Sequence, residues 1–125
     1  MAFIFYVQLL PGSQLTNRLI ELGYRVQVVN ELETLGKLLE TEKPILMMAE
    51  VSPKTQKAVC NAVAMLKDNP KTKHIPVLAF SNKLDKALQE ALLGAGVSLL
   101  AGNAAILDQL PSLLDQLLEM MDNEG

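Results

Sequence analysis

The sequence predicts an α/β fold in which a parallel β-sheet is covered by helices on both faces. Short apolar runs alternate with segments whose apolar residues recur at helical spacing, and this alternation occurs five times. The apolar runs are continuous, which is typical of strands that are buried on both faces. The chain of 125 residues is 50% hydrophobic, so it can form one domain with its own core.

The first two β-α units are the clearest. An apolar run at residues 3–7 predicts a buried first strand, and residues 24–29 predict the second. Between them, Ser13 is a candidate N-cap of a helix that Gly23 ends. Leucines at helical spacing predict the second helix, which Pro44 ends. These leucines are Leu32, Leu35, Leu38 and Leu39.

Three further units complete the predicted sheet. An apolar stripe at residues 59–66 predicts helix 3. Asn82 and Asp108 are candidate N-caps of helices 4 and 5, and Gly94 ends helix 4. The remaining strands are predicted at residues 45–49, 76–80 and 97–100. Because crossovers between parallel strands are right-handed, we expect a flavodoxin-like doubly wound sheet of order 2-1-3-4-5, as a single domain over residues 1–125.

Composition limits the chemistry that the chain can carry. Cys60 and His74 are its single cysteine and single histidine, which excludes a disulfide framework and a Cys/His zinc site. The net charge of −3 argues against general nucleic-acid binding. The sequence predicts neither a signal peptide nor a membrane span. We therefore expect a cytoplasmic protein that does not enter a membrane.

The most specific local pattern lies at residues 66–81, which read LKDNPKTKHIPVLAFS. Here a helix end is followed by Ile-Pro-Val and by a strand that closes on a serine. Gly94 and Ala95 come just before strand 5, and Pro53 follows strand 3. Together these features resemble the receiver (CheY-like) domain of bacterial two-component response regulators, over nearly the whole chain. The resemblance implies the doubly wound fold and a role in phosphorelay signalling.

The resemblance also implies the groups that a phosphorylated receiver needs. An Asp at the end of strand 3 accepts the phosphoryl group, and an acidic pair after strand 1 helps to hold Mg²⁺. A Thr or Ser after strand 4 and a Lys after strand 5 contact the phosphoryl oxygens. Counting from Pro53 places Ala49 at the acceptor position, and counting from Gly94 places Ala101 at the lysine position. Ser81 alone has a matching type, and no acidic pair follows strand 1.

These departures predict a degenerate receiver, or pseudo-receiver, that is not competent for Asp phosphorylation. We expect no enzymatic activity, no cofactor and no metal. A shift of one residue in register would instead place Glu50 at the acceptor position, where its carboxylate would imitate a charged state. The other interpretation of Glu50 is a solvated side chain or a partner of Lys54.

The last helix has an apolar face wider than packing on a sheet requires. One interpretation is a broad core face. The other is a surface for a protein partner or a second copy, since receivers often bind partners through helix 4, strand 5 and helix 5. The predicted interaction surface consists of Leu113, Leu117, Leu118 and Met120.

Charge is distributed unevenly along the chain. Residues 51–90 carry seven lysines and three acidic residues, a net charge of +4, whereas residues 91–125 carry five acidic residues and no basic one. The lysines form a solvated face or meet an acidic partner. The segment argues against nucleic acid as a partner, because it has no arginine and a single aromatic residue, Phe80.

The sequence therefore favours a stand-alone pseudo-receiver that acts as a protein–protein interaction module in bacterial signal transduction. The alternative is a small-molecule-binding or enzymatic flavodoxin-like domain that uses the carboxyl edge of the sheet. Polar side chains that converge at this edge would favour the alternative. The sequence offers Gln8, Glu50, Ser52, Ser81 and Asn82.

Overall fold

The computed structural model describes the backbone of residues 2–6, 9–29 and 31–124, and their side chains except those of residues 9–11, 34 and 120–124. Five parallel strands form one sheet in the order 2-1-3-4-5, so the predicted flavodoxin-like fold is confirmed. The strands are β1 (Ala2–Phe5), β2 (Val26–Val29), β3 (Leu46–Glu50), β4 (Val77–Ser81) and β5 (Leu99–Gly102).

Six helices are present in the described part of the chain. A single 3-10 turn, Leu32–Thr34, precedes the second of them. The helices are α1 (Leu9–Glu21), α2 (Leu35–Glu42), α3 (Gln56–Asp68), α4 (Lys86–Ala95), α5 (Asn103–Asp108) and α6 (Leu110–Glu124). The predicted last helix corresponds to α6, and the short helix α5, which Gln109 separates from it, was not predicted.

The alternation of side chains along each strand divides the core into two layers. In β1, Phe3 and Phe5 pack with α2, α3 and α4, whereas Ala2 and Ile4 pack with α1, α5 and α6. Both faces of the sheet are therefore covered by apolar helix faces, as the continuous apolar runs predict.

Several helix ends differ from the sequence prediction. Ser13 is not an N-cap, because α1 already begins at Leu9. Asp85, and not Asn82, caps α4: its Oδ1 accepts a hydrogen bond from the backbone N–H of Leu88 at 2.8 Å. Asp108 lies at the end of α5 and does not cap the following helix.

Gly96, and not Gly94, ends α4. Its φ of 114° lies in the left-handed region that glycine adopts without a steric penalty. The backbone N–H of Gly96 donates to the carbonyl oxygen of Leu93 at 3.1 Å. Gly94 lies within the helix, with open space around its α-carbon.

Candidate functional site

The positions of the receiver site meet at the carboxyl edge of three neighbouring strands. Glu50 ends β3 beside Phe80 of β4, and Ser81 ends β4 beside Gly102 of β5. Ala101 pairs with Phe80 in the same sheet. The structure thus brings Glu50 and Ser81 together at this edge, whereas Ala49 and Ala101 are buried in opposite layers of the core.

Ala49 and Glu50 face opposite sides of β3. Ala49 is completely buried and packs with Phe5 and Val51 in the layer beneath α2, α3 and α4. Its methyl group offers no atom that could accept a phosphoryl group. Glu50, the next residue, is 5% exposed, so its side chain is not the solvated one that the sequence suggested as an alternative.

Glu50 lies at the floor of a cleft of about 430 Å³ at this edge of the sheet. Ser81, which is 4% exposed, lines the same cleft. Four of the five polar residues that the sequence placed at this edge line the cleft, and Gln8 lies outside the described residues. The four are Glu50, Ser52, Ser81 and Asn82.

Asn103 is a cleft residue that the sequence analysis missed. It is the first residue of α5, directly after β5. Its side-chain oxygen Oδ1 is buried and accepts no hydrogen bond from any described residue. The sequence offered no signal for this role, because Asn103 follows Gly102 and the pair looks like a break between elements.

Many polar groups at the rim stabilise local structure. The backbone N–H of Ser52 donates to Thr55 Oγ1 at 2.9 Å, and the backbone N–H of Gln56 donates to the Ser52 carbonyl at 2.8 Å. These bonds form the turn that begins α3. On the other side of the cleft, within the loop after β4, the backbone N–H of Lys83 donates to Ser81 Oγ at 3.4 Å.

Tyr6 directly follows β1, and the next two residues lie outside the described part of the chain. The Tyr6 ring lies directly on the backbone of α1, because a Cβ on Gly12 would overlap the ring. Across the part of the chain that the structure describes, no three His, Cys, Asp or Glu residues are grouped to hold a metal ion. The absence of a carboxylate between residues 2 and 20 accounts for this at β1.

The predicted interaction surface on the last helix is largely interior. Leu113 and Leu117 are buried in the layer formed with α1 and α5, and Leu117 is 0% exposed. Neither side chain is presented to a partner, because the wide apolar face of α6 packs against the sheet and α5. Leu118 is half-buried against the same layer, and the side chain of Met120 lies outside the described residues.

Other apolar side chains of this region are accessible. Leu93 on the outer face of α4 is 53% exposed. Leu99 and Leu100 of β5, an edge strand, are partly exposed. Met65 on α3 is also exposed, at a separate groove between α2 and α3.

The remaining candidate residues have ordinary surroundings. Cys60 is partly buried, with Sγ 3.9 Å from the carbonyl oxygen of Ala91, and burial raises the pKa of its thiol. His74 is exposed in the loop before β4.

Within the described residues, no helix has the length and apolar character needed to cross a membrane.

Comparison with solved structures finds similar folds. The receiver domain of a signal transduction histidine kinase from Syntrophus aciditrophicus has a TM-score of 0.78 and 21% identity, covering 94% of this chain and 89% of that one. A response regulator from Desulfuromonas acetoxidans has a TM-score of 0.76 and 18% identity, with coverages of 95% and 96%. A CheY-like protein, TadZ, from Pseudomonas aeruginosa has a TM-score of 0.73 and 23% identity, with coverages of 94% and 98%.

At these identities the similarity shows the fold. The chain has the receiver-domain fold of signal transduction proteins. No protein-family model matches the chain, and no curated protein matches it.

Proposed function

We propose that this protein is a pseudo-receiver, which cannot accept a phosphoryl group and acts through protein–protein contacts in bacterial signal transduction. The observation that carries the proposal is Ala49. This buried methyl group stands one residue before the end of β3, the strand on which a receiver has its acceptor carboxylate.

The surroundings of Ala49 support the same conclusion. Phosphoryl transfer requires stabilisation of the negative charge that spreads over the transferred group. Here the first carboxylate of the chain is Glu21, so no acidic pair after β1 helps to hold a divalent cation, and Ala101 supplies no ammonium group at β5. Glu50 adds negative charge beside the site, which opposes the approach of a phosphoryl dianion.

The interaction surface we propose is the accessible part of α4 and β5. Leu93, Leu99 and Leu100 present apolar area there, next to an edge strand whose backbone groups can pair further. The partner is a second copy or another signalling protein in the cytoplasm.

Phosphorylation is tested on the intact chain with Mg²⁺ and a small phosphoryl donor, followed by intact mass measurement. A receiver known to be phosphorylated serves as the positive control. We expect no mass increase in this chain. An acid-stable, base-labile adduct of one phosphoryl group would refute the proposal, and mapping it to Glu50 would support the shifted register.

The proposed surface is tested by sedimentation velocity over a range of concentrations. Leu93→Glu should abolish self-association, because it places a charge in the contact. Met65→Glu is the matched control, since Met65 is also exposed but lies on α3, and it should leave association unchanged. A wild-type chain that stays monomeric, or association that Leu93→Glu does not weaken, would contradict a homodimer at this surface.

A further inference from the structure

The geometry points to a small-molecule site: we infer that the cleft at the carboxyl edge of β3, β4 and β5 binds a small zwitterion. The ammonium group of the ligand lies at the floor and its carboxylate lies at the rim. The inference is independent of the proposed function, because it needs neither phosphoryl transfer nor a protein partner.

The floor of the cleft presents hydrogen-bond acceptors. The carboxylate of Glu50 is almost completely buried, and Oδ1 of Asn103 is buried without a hydrogen bond from the described residues. A buried acceptor that lacks a donor destabilises the folded protein. A carboxylate accepts about four hydrogen bonds, so contacts of Glu50 inside the protein leave it able to accept another.

An ammonium group suits this floor better than a metal ion. It has three N–H donors, which can be shared between Glu50, Asn103 Oδ1 and Ser81 Oγ. A divalent cation prefers several oxygen ligands, commonly more than one carboxylate. The floor has a single carboxylate, and the described residues contain no group of acidic side chains, His or Cys suited to a metal.

The rim carries more positive than negative groups. Asp85 lines the cleft, but its Oδ1 already accepts the backbone N–H of Leu88 as the cap of α4. Lys83 lines the cleft, and Lys86 begins α4 beside it. Lys54 and Lys57 flank Gln56, a lining residue at the start of α3. All four lysines are exposed, and none forms an ion pair with a described residue. The N-terminus of the 13-residue helix α3 adds partial positive charge here.

The acceptor groups at the floor and the lysines at the rim together select the class of ligand. The lysines at the rim oppose a ligand that carries only positive charge, and Glu50 opposes one that carries only negative charge. A molecule with one ammonium and one carboxylate group satisfies both zones. The cleft volume of about 430 Å³ falls in the range of roughly 300–1,000 Å³ that is typical of small-molecule sites.

The test is a titration of the uniformly ¹⁵N-labelled chain, observed by two-dimensional amide NMR. The probes are glycine, β-alanine and 4-aminobutyrate, in which the distance between the two charges increases. We expect saturable shifts at the amides of Glu50, Ser81 and Asn103 for at least one of these zwitterions. Ethylammonium and propionate, with one charge each, should bind at least about tenfold more weakly.

A matched ligand isolates the role of the N–H donors without any change to the protein. The N-trimethyl form of the best zwitterion keeps both charges but has no N–H group. It should lose at least about tenfold in affinity, since hydrogen bonds to charged groups contribute most strongly. Equal binding of the methylated and unmethylated forms would overturn the proposed role of the floor.

Variants then locate the site. Glu50→Gln and Asn103→Leu should each weaken binding by about tenfold or more, whereas Glu90→Gln, at an exposed position on α4, should have no effect. Lys83→Gln should weaken binding, and Lys71→Gln, outside the cleft, should not. Dispersed amide spectra verify that each variant is folded.

Two results would refute the inference. One is the absence of saturable shifts with every zwitterion, which would mean that solvent water satisfies Asn103. The other is shifts confined to the lysines, with propionate as effective as the zwitterions. Neither result tests phosphorylation, which the mass measurement described under the proposed function tests separately.

Discussion

Lys67 lies directly on Gly96, with its Cγ 2.7 Å from the position that a Cβ on Gly96 would take. The ammonium group of Lys67 donates hydrogen bonds to the carbonyl oxygens of Lys73 at 3.1 Å and of Ile75 at 2.8 Å. One lysine on α3 therefore connects the end of α4 with the loop that leads into β4. This arrangement stabilises the edge of the sheet opposite the cleft.

Replacement of Gly96 by alanine should destabilise the protein. The new Cβ would meet the Lys67 side chain, and the φ of 114° is strained for any other residue. We expect a loss of about 1–3 kcal/mol in the free energy of unfolding, measured by urea denaturation. Gly94→Ala is the control: its surroundings are open, and it should be neutral or stabilising by up to about 1 kcal/mol. Equal effects at both glycines would contradict this account of α4.

The hydrogen bonds of Lys67 should be measurable in the same assay. Lys67→Met keeps most of the aliphatic side chain but removes both donated bonds, so we expect a loss of about 1–2 kcal/mol. Lys71→Met, at an exposed lysine in the neighbouring loop, should change stability by less than about 0.5 kcal/mol. If the two variants were equally stable, the bonds to Lys73 and Ile75 would make no net contribution.

The contact of Tyr6 with Gly12 predicts a coupled pair. Gly12→Ala should cost about 1–3 kcal/mol, because the added methyl group would overlap the ring. Tyr6→Ala removes the ring, and in that background Gly12→Ala should be nearly neutral. The double-mutant cycle therefore predicts a coupling of about 1 kcal/mol or more. Gly36→Ala on α2, where the space is open, controls for helix propensity. Additive effects would show that the ring does not lie on Gly12.

The assignment of α6 to the core predicts a clear difference between two leucines. Leu117→Ala should lower the free energy of unfolding by about 2–5 kcal/mol, because it leaves a cavity in a fully buried layer. Leu93→Ala, at an exposed position on α4, should change it by less than about 0.5 kcal/mol. Urea denaturation of both variants distinguishes a core face from a contact surface. A small effect at Leu117 would restore the interpretation of α6 as a surface.

Burial should make Cys60 a slow nucleophile. Its raised pKa reduces the thiolate fraction near neutral pH, and the thiolate is the reactive form. Alkylation of the folded chain should therefore be slower than that of the urea-unfolded chain, and the rate should rise with pH beyond the usual range for cysteine. Mass spectrometry over a pH series measures both rates. Faster alkylation of the folded chain would contradict this environment.

The sequence was sufficient for the sheet but not for the helix ends. Continuous apolar runs predicted five buried strands, and the right-handed crossovers left few strand orders, of which the flavodoxin-like one has five β-α units. The cap of α4 was misplaced from Asp85 to Asn82, because several polar residues in one loop can cap a helix and only the backbone path selects among them. Helix α5 was missed because its six residues make fewer than two turns, which is too short for an apolar stripe at helical spacing.

The candidate site was predicted only in part, because the sequence shows positions along a strand but not the contacts between elements. Counting along the strands placed Ala49, Glu50 and Ser81 at one edge, where the structure has them. Asn103 was missed because the lack of a hydrogen bond to its Oδ1 depends on which residues surround it in the folded chain, and the sequence does not show them. Leu117 was assigned to a surface because the width of an apolar stripe does not show how much of it the sheet and the adjacent helices bury.

The position of Ala49 also bears on how such a chain could evolve. A carboxylate introduced there would lie in a completely buried apolar layer, where an unpaired charge is strongly destabilising. Under the proposed function, phosphoryl acceptance would therefore need several substitutions on separate strands, and the first of them would lower the stability of the fold. A stability barrier thus stands between this sequence and an acceptor carboxylate at position 49.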